Sequence, residues 1–297
     1  MPKLKIGFFG DGPWAHGALE RIAADTSIQV DFVCARHHSP DPILRQMAQN
    51  LGFPFFSDPD VNSPSFTKRM GDIQSDLFVS MSFNQIFRPF LFEMPRFKTI
   101  NCHAGKLPFY RGRNILNWVL INDDKDFGIT VHYIDAGIDT GDIVLQKTYK
   151  IDDQDDYATL LNRAYKECPS ILYEAIKLIQ NGESVPVSQA DIHPVGFYCS
   201  RRVSGDERID WNSSSREIFN FVRAICRPGP QATTHLNGKL IKINKVELVQ
   251  DAPIYKGKAG SIIGAISGCP LVKTSDSFVK LVDFITETRL KTGDRLG

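Results

Sequence analysis

Short apolar runs alternate with amphipathic segments along the first half of this 297-residue chain. Apolar runs of four to eight residues are typical of strands buried on both faces of a parallel sheet. Apolar residues at helical spacing follow the first run, from Trp14 to Ile22, and a second helical segment ends at Gly52. Strands that alternate with helices predict an α/β fold with a doubly wound, mostly parallel sheet. The predicted strands are KIGFFG (5–10), VDFVCA (30–35), DLFVSM (76–81) and FKTINCH (97–103).

Longer elements are predicted in the middle of the chain. FGITVHYI (127–134) and DIVLQKTYKI (142–151) predict two strands joined by the loop DAGIDTG. Apolar residues at helical spacing predict a helix from about Asp156 to Gln180. Pro169 lies inside this helix and predicts a kink or a break, because proline removes a helical hydrogen bond.

Three segments of different character predict the domain organisation. Residues 1–185 form the α/β domain, and residues 186–207 contain two prolines and are interpreted as a linker. Residues 208–297 begin with a capped helix over 213–225 and continue as short strands with frequent glycine turns. This last segment predicts a small C-terminal β-rich, barrel-like domain.

The charge balance limits the partners of this chain. It has 35 basic and 34 acidic residues, for a formal net charge of +1, which argues against nucleic acid as a partner. No apolar run approaches the length of a membrane span, and the start MPKLKIGFFG is too short an apolar stretch for a signal peptide. The six cysteines show no CxxC pair and no metal-type spacing. We therefore expect a cytoplasmic protein with free thiols, no metal and no membrane contact.

Asn101 and His103 are the most informative polar residues, because they end the fourth predicted strand. Open α/β sheets bind ligands beyond the carboxyl ends of their strands, and side chains two residues apart share one face. An amide donates hydrogen bonds, and a neutral imidazole accepts a proton. This pair suits acyl transfer, in which the imidazole serves as the base and the amide stabilises the oxyanion.

A carboxylate usually orients the imidazole of such a site. Asp139, in the loop between the two later strands, is the best candidate, and Asp135 and Asp142 are the alternatives. The competing interpretation is a buried structural histidine beside a turn-forming asparagine, which an isolated Asn-x-His would favour.

The loop LPFYRGR that follows His103 favours a functional site. Pro108 stiffens its backbone, and Arg111 and Arg113 are able to bind phosphate or carboxylate. A purely structural histidine would not need such a loop after it.

Three separated blocks resemble the folate-dependent formyltransferase family. Asn101-Cys-His103 matches the family's Asn-x-His, KLPFYRG (106–112) its LLP-x-x-RG loop, and IDTGDI (138–143) its DtGdi segment. His132 is a further family-like histidine. The blocks occur in the family's order, and the likeness covers most of residues 1–180 with a weaker continuation over 209–232.

The resemblance implies a Rossmann-like α/β domain joined to a small β-rich domain. It also implies Asn101, His103 and Asp139 as the catalytic trio and N10-formyltetrahydrofolate as the formyl donor, without a metal. The folate is expected against segment 80–87 and the loop 135–142. The residues assigned to folate are Phe83, Gln85, Ile86, Asp135, Gly137 and Asp142.

The acceptor is expected along the loop after His103 and at the first glycine turn. The residues assigned to it are Gly12, Lys106, Pro108, Tyr110, Arg111, Arg113 and Asn114. One departure from the family concerns this loop, because Gly105 and Lys106 stand where the family usually has serine and leucine.

The sequence favours a nucleotide-linked amino sugar as the acceptor. RGRNILNW (111–118) and SRR (200–202) resemble the branch of the family that formylates such sugars, for example a dTDP- or UDP-linked 4-amino-4,6-dideoxyhexose used in surface polysaccharide such as lipopolysaccharide. Family members that formylate methionyl-tRNA usually carry a long basic insertion after the second strand, whereas ARHHSPDPILRQ (35–46) is short. Methionyl-tRNA is the alternative acceptor.

Other classes fit less well. The glycines of GDGPWAHG (10–17) are not spaced as in the dinucleotide motif G-x-G-x-x-G, so an NAD-dependent oxidoreductase ranks below a transferase. A hydrolase that releases formate from the folate needs only water as acceptor, but the sugar-type loop at 111–118 argues against it. An inactive binding module conflicts with the intact trio. The oligomeric state is left open, a homodimer included.

Overall fold

The computed structural model describes residues 2–297. Its strands, in chain order, are β1 (Leu4–Gly10), β2 (Ile28–Cys34), β3 (Phe55–Phe56), β4 (Leu77–Met81), β5 (Thr99–His103), β6 (Arg111–Gly112), β7 (Asp126–Tyr133), β8 (Ile143–Lys150), β9 (Tyr198–Cys199), β10 (Ala232–Leu236), β11 (Lys239–Leu248), β12 (Ile262–Ile266), β13 (Cys269–Lys273) and β14 (Phe278–Ile285). Its helices are α1 (Gly12–Ala23), α2 (Pro42–Asn50), α3 (Pro64–Ile73), α4 (Pro89–Phe92), α5 (Ile115–Ile121), α6 (Tyr157–Asn181), α7 (Gln189–Ile192) and α8 (Ser215–Ile225).

A seven-stranded sheet of order β3-β2-β1-β4-β5-β7-β8 organises the first of two compact units. The strands from β3 to β5 run parallel, whereas β7 is antiparallel to β5. The predicted doubly wound, mostly parallel α/β fold is therefore confirmed. The order reverses between β1 and β4, and such a reversal opens a crevice at the carboxyl ends of the strands. This unit comprises the chain up to Gly112, Phe127–Tyr149 and Asn162–Tyr198.

The long helix follows its prediction closely. α6 runs without interruption from Tyr157 to Asn181, so a break at Pro169 is wrong, whereas the alternative of a kink stays a prediction. A side-chain carbon on Gly17 of α1 would lie only 3.1 Å from Cγ of Pro169, and the glycine leaves room for the proline ring. Packing of the apolar face of α6, where Ala164, Cys168 and other residues are fully buried, compensates for the missing hydrogen bond.

Phenylalanine side chains form the core on one side of the sheet. The ring of Phe9 lies 5.3 Å from that of Phe32, 5.4 Å from Phe78 and 4.8 Å from Phe87, all in edge-to-face geometry. The half-buried Phe83, assigned to folate from the sequence, packs 5.5 Å from the same ring. Such aromatic pairs add stabilisation beyond the apolar area they bury. Phe83 and Phe87 therefore pack the segment that follows β4 against this core.

The second compact unit combines the C-terminal part of the chain with two earlier segments. It comprises Arg113–Asp126, Lys150–Leu161 and Cys199–Gly297. Its five-stranded antiparallel sheet, of order β10-β11-β14-β13-β12, confirms the predicted β-rich C-terminal region. The predicted cap of α8 is also present, because Ser214 and Glu217 form a capping box. The borders at 185 and 208 stay predictions.

Polar contacts explain why the earlier segments belong to this unit. Arg216 of α8 donates to both carboxylate oxygens of Asp153 at 2.7 Å and to Asp123 at 2.5 Å. The amide of Asn117, on α5, donates to the carbonyl of Ala224 at 2.5 Å. Bidentate pairs of this kind fix geometry as well as contributing energy.

No helix within residues 2–297 combines the length and the hydropathy that a membrane crossing requires.

Replacing Phe9 by alanine should lower the free energy of unfolding by about 3–5 kcal/mol, because it removes the central ring of the core. Phe90 is 49% exposed and provides the control, so Phe90→Ala should change stability by less than about 1 kcal/mol. Urea unfolding followed by circular dichroism measures both changes. Equal losses for the two variants would contradict the central position of Phe9.

Candidate active site

Asn101 and His103 lie on β5, between β4 and the antiparallel β7. Asn101 pairs directly with His132 of β7, and His103 pairs with Thr130. Nδ2 of Asn101 lies 3.3 Å from Nε2 of His132. Directly opposed residues of antiparallel strands project to the same face of the sheet, so the register brings the amide and the second imidazole together.

The ring of His103 is oriented by a backbone carbonyl. Its Nε2 lies 2.7 Å from the carbonyl oxygen of Tyr110. A carbonyl only accepts, so Nε2 carries the proton and Nδ1 is the basic nitrogen of the neutral ring. Nδ1 faces Oδ2 of Asp139 at 3.6 Å, beyond hydrogen-bond distance but within the range of an ion pair. Asp139 is the residue expected from the sequence to orient this ring, whereas the hydrogen bond that orients it goes to the carbonyl of Tyr110.

Asp139 lies in the loop between β7 and β8, with a left-handed backbone conformation (φ 54°). Its side chain is 13% exposed. Oδ2 accepts the backbone N–H of Gly112 at 2.9 Å, and Oδ1 lies 3.5 Å from Nε2 of His132. Burial favours a higher pKa of Asp139, but attraction to His103 and His132 in their protonated forms and the hydrogen bond from the N–H of Gly112 hold that pKa well below its usual range. The carboxylate is therefore ionised.

His132 completes the cluster, although the sequence analysis assigned it no role. Its Nδ1 lies 2.7 Å from the carbonyl oxygen of Tyr133 and therefore carries a proton. In the neutral ring Nε2 then accepts an N–H of Asn101. The signal that identifies His132 is the pairing of β5 with β7, which becomes visible only in the folded sheet.

The loop after β5 approaches His103 closely. A side-chain carbon on Gly105 would lie 2.4 Å from Nε2 of His103 and 2.6 Å from the carbonyl oxygen of Tyr110. Gly105 therefore leaves room for the hydrogen bond that orients the ring. Thr130 of β7 donates to the carbonyl of Gly105 at 2.6 Å, and Gln146 of β8 donates to that of Leu107 at 2.9 Å, so the loop is anchored on these two strands.

The residues assigned to folate lie in two segments. Gln85 accepts from the N–H of Val61 at 3.0 Å and donates to the carbonyl of Asp58 at 2.8 Å, so it fastens the segment after β4 to a neighbouring loop. Beside it, Ile86 is 71% exposed.

The second of these segments is the loop between β7 and β8. Asp135 accepts from the N–H of Gly137 at 3.0 Å and from the hydroxyl of Thr140 at 2.5 Å. Gly137 has no room for a side chain, because a carbon there would lie 2.1 Å from the oxygen of Thr140. Asp142 is exposed at the end of the loop. These contacts hold the loop in a compact turn.

The residues assigned to the acceptor are more dispersed. The loop after β5 carries four of them, Lys106, Pro108, Tyr110 and Arg111. Gly12 follows β1, and its N–H donates to Asp41 at 3.0 Å.

Arg113 and Asn114 belong to the second compact unit, where both are exposed. There the side-chain oxygen of Asn114 accepts the backbone N–H of Arg202 at 3.0 Å.

The side chains of the described range 2–297 form no group of three or more histidine, cysteine, aspartate or glutamate residues suited to a metal ion. The chemistry available at the end of β5 is that of a hydrogen-bond donor, a proton acceptor and an ionised carboxylate. These groups fit an acyl transfer reaction.

Comparison with known proteins identifies the family. Residues 5–176 match the family described as "Formyl transferase", and residues 203–292 match "Formyl transferase, C-terminal domain". The chain belongs to the formyl transferase family. The family recognised from the three sequence blocks, and with it a formyl-transferring enzyme, is confirmed.

Individual relatives differ in the substrates that their names state. The chain is 31% identical over 320 residues to the methionyl-tRNA formyltransferase of Halothermothrix orenii, covering 99% of this chain and 100% of that protein. Its structure resembles WlaRD, a sugar 3N-formyl transferase, with a TM-score of 0.71 and 22% identity over 98% of this chain and 100% of that one. It also resembles an N-formyltransferase from Helicobacter canadensis, with a TM-score of 0.72 and 21% identity over 96% and 100% of the two chains. At this identity the structural likeness shows the shared fold.

Gly105→Ala should lower the free energy of unfolding by about 1–3 kcal/mol, because the added carbon meets both His103 and a backbone carbonyl. Gly71 lies inside α3 with no atom within 4 Å of an added carbon, so Gly71→Ala should be neutral or stabilising. Thermal and urea unfolding of both variants measure the difference. A Gly105→Ala variant as stable as the wild type would contradict the close approach of His103 and Tyr110 to this position.

Asp139→Asn should change the acid sensitivity of the protein. The pKa of Asp139 is lowered on folding, so its stabilising contribution is fully present above the unfolded value near 4 and is lost as the pH falls further. Each unit of depression is worth about 1.4 kcal/mol. The stability difference between wild type and Asp139→Asn should therefore shrink from pH 5 to pH 3.

Urea unfolding at several pH values in this range measures that difference. Asp142→Asn removes an exposed carboxylate of the same loop and should follow the wild type. A difference between wild type and Asp139→Asn that stays constant down to pH 3 would refute the depressed pKa.

Proposed function

We propose that this protein transfers the formyl group of N10-formyltetrahydrofolate to the amino group of a nucleotide-linked amino sugar. The supporting observation is the convergence of the Asn101 amide, the His103 imidazole and the Asp139 carboxylate at the end of β5. An amine that attacks a formyl carbon needs a base for its proton and a donor for the oxygen that becomes negative. The three side chains supply both, together with a fixed negative charge.

His103 acts as the base in this proposal. Its Nδ1 accepts a proton as the neutral amine attacks, while Nε2 remains hydrogen-bonded to the carbonyl of Tyr110. As the new carbon–nitrogen bond forms and the bond from the formyl carbon to N10 breaks, the imidazolium returns a proton to the leaving nitrogen. Protons and electron pairs balance, so no further reactant is needed.

Asp139 stabilises the imidazolium by its charge. Because its pKa is held low, the carboxylate stays ionised and acts as an electrostatic partner. Its Oδ2 lies 3.6 Å from the nitrogen that receives the proton. Asn101 donates one N–H to His132 and has a second N–H for the developing oxyanion.

The folate supplies the formyl group, and the chain offers a surface that suits it. The half-buried Phe83 and the exposed Ile86 present apolar area beside the end of β4. The compact turn built by Asp135 and Gly137 follows β7, whose His132 contacts Asn101. We assign Phe83, Gln85, Ile86, Asp135, Gly137 and Asp142 to folate binding. WlaRD was crystallised in the presence of dTDP and 5-N-formyl-THF, which supports a folate as donor.

Two observations favour a sugar nucleotide as acceptor. The neighbour from Helicobacter canadensis forms a complex with folinic acid and dTDP-3-aminofucose and shares this fold. The connection from β2 to α2 spans only residues 35–41 and carries no basic insertion. We assign Gly12, Lys106, Pro108, Tyr110, Arg111, Arg113 and Asn114 to the acceptor, with a role for the enzyme in surface polysaccharide synthesis in the cytoplasm.

Methionyl-tRNA is the second candidate acceptor. It is favoured by the relative from Halothermothrix orenii, whose whole length matches this chain. The net charge of +1 provides little attraction for a polyanion, which places this candidate behind the sugar nucleotide.

Incubation with N10-formyltetrahydrofolate and a panel of dTDP- and UDP-linked 3-amino and 4-amino sugars should give one formylated sugar, detected by mass spectrometry. Asn101→Ala should reduce kcat by about 10²- to 10³-fold, the usual effect of losing one oxyanion donor. Asn50→Ala removes an exposed amide at the end of α2 and serves as control.

The products distinguish the alternatives. Formylation of methionyl-tRNA without any sugar product would establish the second candidate. Release of formate from the folate without an acceptor would indicate a hydrolase. Full activity of Asn101→Ala on a sugar would refute the proposed role of the amide.

A further inference from the structure

A buried glutamine links the two loops that meet at His103. We propose that Gln189 is a positioning residue for Asp139, because its amide ties the loop that carries Asp139 to Arg111 in the loop after β5. This inference rests on the proposed function for its kinetic consequence, whereas the structural link itself is independent of the substrate.

The amide of Gln189 makes four hydrogen bonds in a position that is 3% exposed. Nε2 donates to the carbonyls of Asp139 at 2.9 Å and Gly141 at 2.8 Å. Oε1 accepts from Nε and Nη2 of Arg111 at 3.1 Å and 2.7 Å. Both amide hydrogens and the amide oxygen are therefore engaged, which makes the orientation of this side chain well defined.

These bonds close a ring of contacts around Asp139. The backbone N–H of Gly112 donates to the Asp139 carboxylate, while the preceding residue, Arg111, reaches the Asp139 carbonyl through Gln189. Asp139 is thus held at its side chain and at its main chain by two adjacent residues. Its left-handed conformation is unfavourable for a non-glycine residue, so it needs such support.

Arg111 is itself fixed by the segment that follows Gln189. Its backbone N–H donates to the carbonyl of Phe197 at 3.1 Å, and its guanidinium lies 5.5 Å from the ring centre of Tyr198. A side-chain carbon on Gly196 would lie 2.7 Å from Cζ of Arg111, so this glycine admits the guanidinium. Arg111 therefore provides a rigid attachment point for the glutamine amide.

Only an amide of this length satisfies both sides of the link. Glutamate would keep an acceptor for Arg111 but would place an anion against two carbonyl oxygens. Leucine has a similar volume and provides neither donor nor acceptor. Gln189→Glu and Gln189→Leu therefore remove the link to Asp139 in different ways.

Gln180 offers a matched control elsewhere in the same unit. Its amide donates to the carbonyl of Ser27 at 3.1 Å and accepts from Lys177 at 2.6 Å, so it also bridges a cation and a backbone carbonyl. Gln180→Leu removes comparable hydrogen bonds on α6 without touching the loops at His103.

Steady-state kinetics on the formylated acceptor provides the first test. Gln189→Leu and Gln189→Glu should each lower kcat by about 10- to 100-fold, as expected when a reacting group is displaced by about 1 Å. The KM for the acceptor should stay within about threefold in Gln189→Glu, which keeps a partner for Arg111, and should rise in Gln189→Leu, which does not. Gln180→Leu should keep the wild-type kcat. A wild-type kcat for both Gln189 variants would overturn the proposal.

Nuclear magnetic resonance provides a readout that needs no substrate. The amide signal of Gly112 reports its hydrogen bond to the Asp139 carboxylate. It should shift and exchange faster with solvent in both Gln189 variants and remain unchanged in Gln180→Leu. An unchanged Gly112 signal in the Gln189 variants would overturn the proposal even if kcat fell.

The two tests separate the inference from the proposed function. A wild-type protein that formylates no acceptor, but whose Gly112 signal responds to Gln189→Glu, would reject the function and keep the positioning role. If Gln189→Leu does not fold, Gln189→Glu carries both measurements, because it retains a partner for Arg111.

Discussion

Asp139 keeps its negative charge in a mostly buried position because a backbone N–H donates to it and two imidazoles that can take up a proton face it. A buried carboxylate without such partners would take up a proton, and it would then stabilise no positive charge on a neighbouring ring. These partners come from β5, from β7 and from the Gly112 turn. The charge of one side chain therefore depends on the correct assembly of three separate segments.

The antiparallel pairing of β7 with β5 provides much of this assembly. The antiparallel register sets His132 directly opposite Asn101, so both side chains project to the same face. β7 ends beside Ile100, near the start of β5, and the loop that follows carries Asp139 to within 3.6 Å of Nδ1 of His103. Because β7 runs antiparallel to β5, polar groups from both strands and from the loop after β7 lie together.

Local sequence patterns predicted the elements and the polar residues that lie within one short motif. The Asn-x-His spacing places Asn101 and His103 on one strand, and the alternation of strands and helices indicates the sheet that carries them. Patterns of this kind mark His132 only as a family-like histidine without a role and do not reveal Gln189, because the contacts of both depend on strand register and on residues distant in the chain. Pro169 shows the same limit, since the break expected from a local rule is overridden by packing against Gly17. The need for a glycine at position 105 likewise depends on the carbonyl of Tyr110, five residues away.

The interleaving of the two compact units has a consequence for synthesis of the chain. α5 leaves the ribosome long before α8, whose carbonyl at Ala224 receives the amide of Asn117. The second unit therefore lacks some of its partners until the C-terminal part of the chain has emerged, and until then the amide of Asn117 bonds to water. Long-range contacts of this kind slow folding and prolong exposure of apolar surface. The second unit consequently cannot be completed by its early segments alone, and its folding waits for the end of the chain.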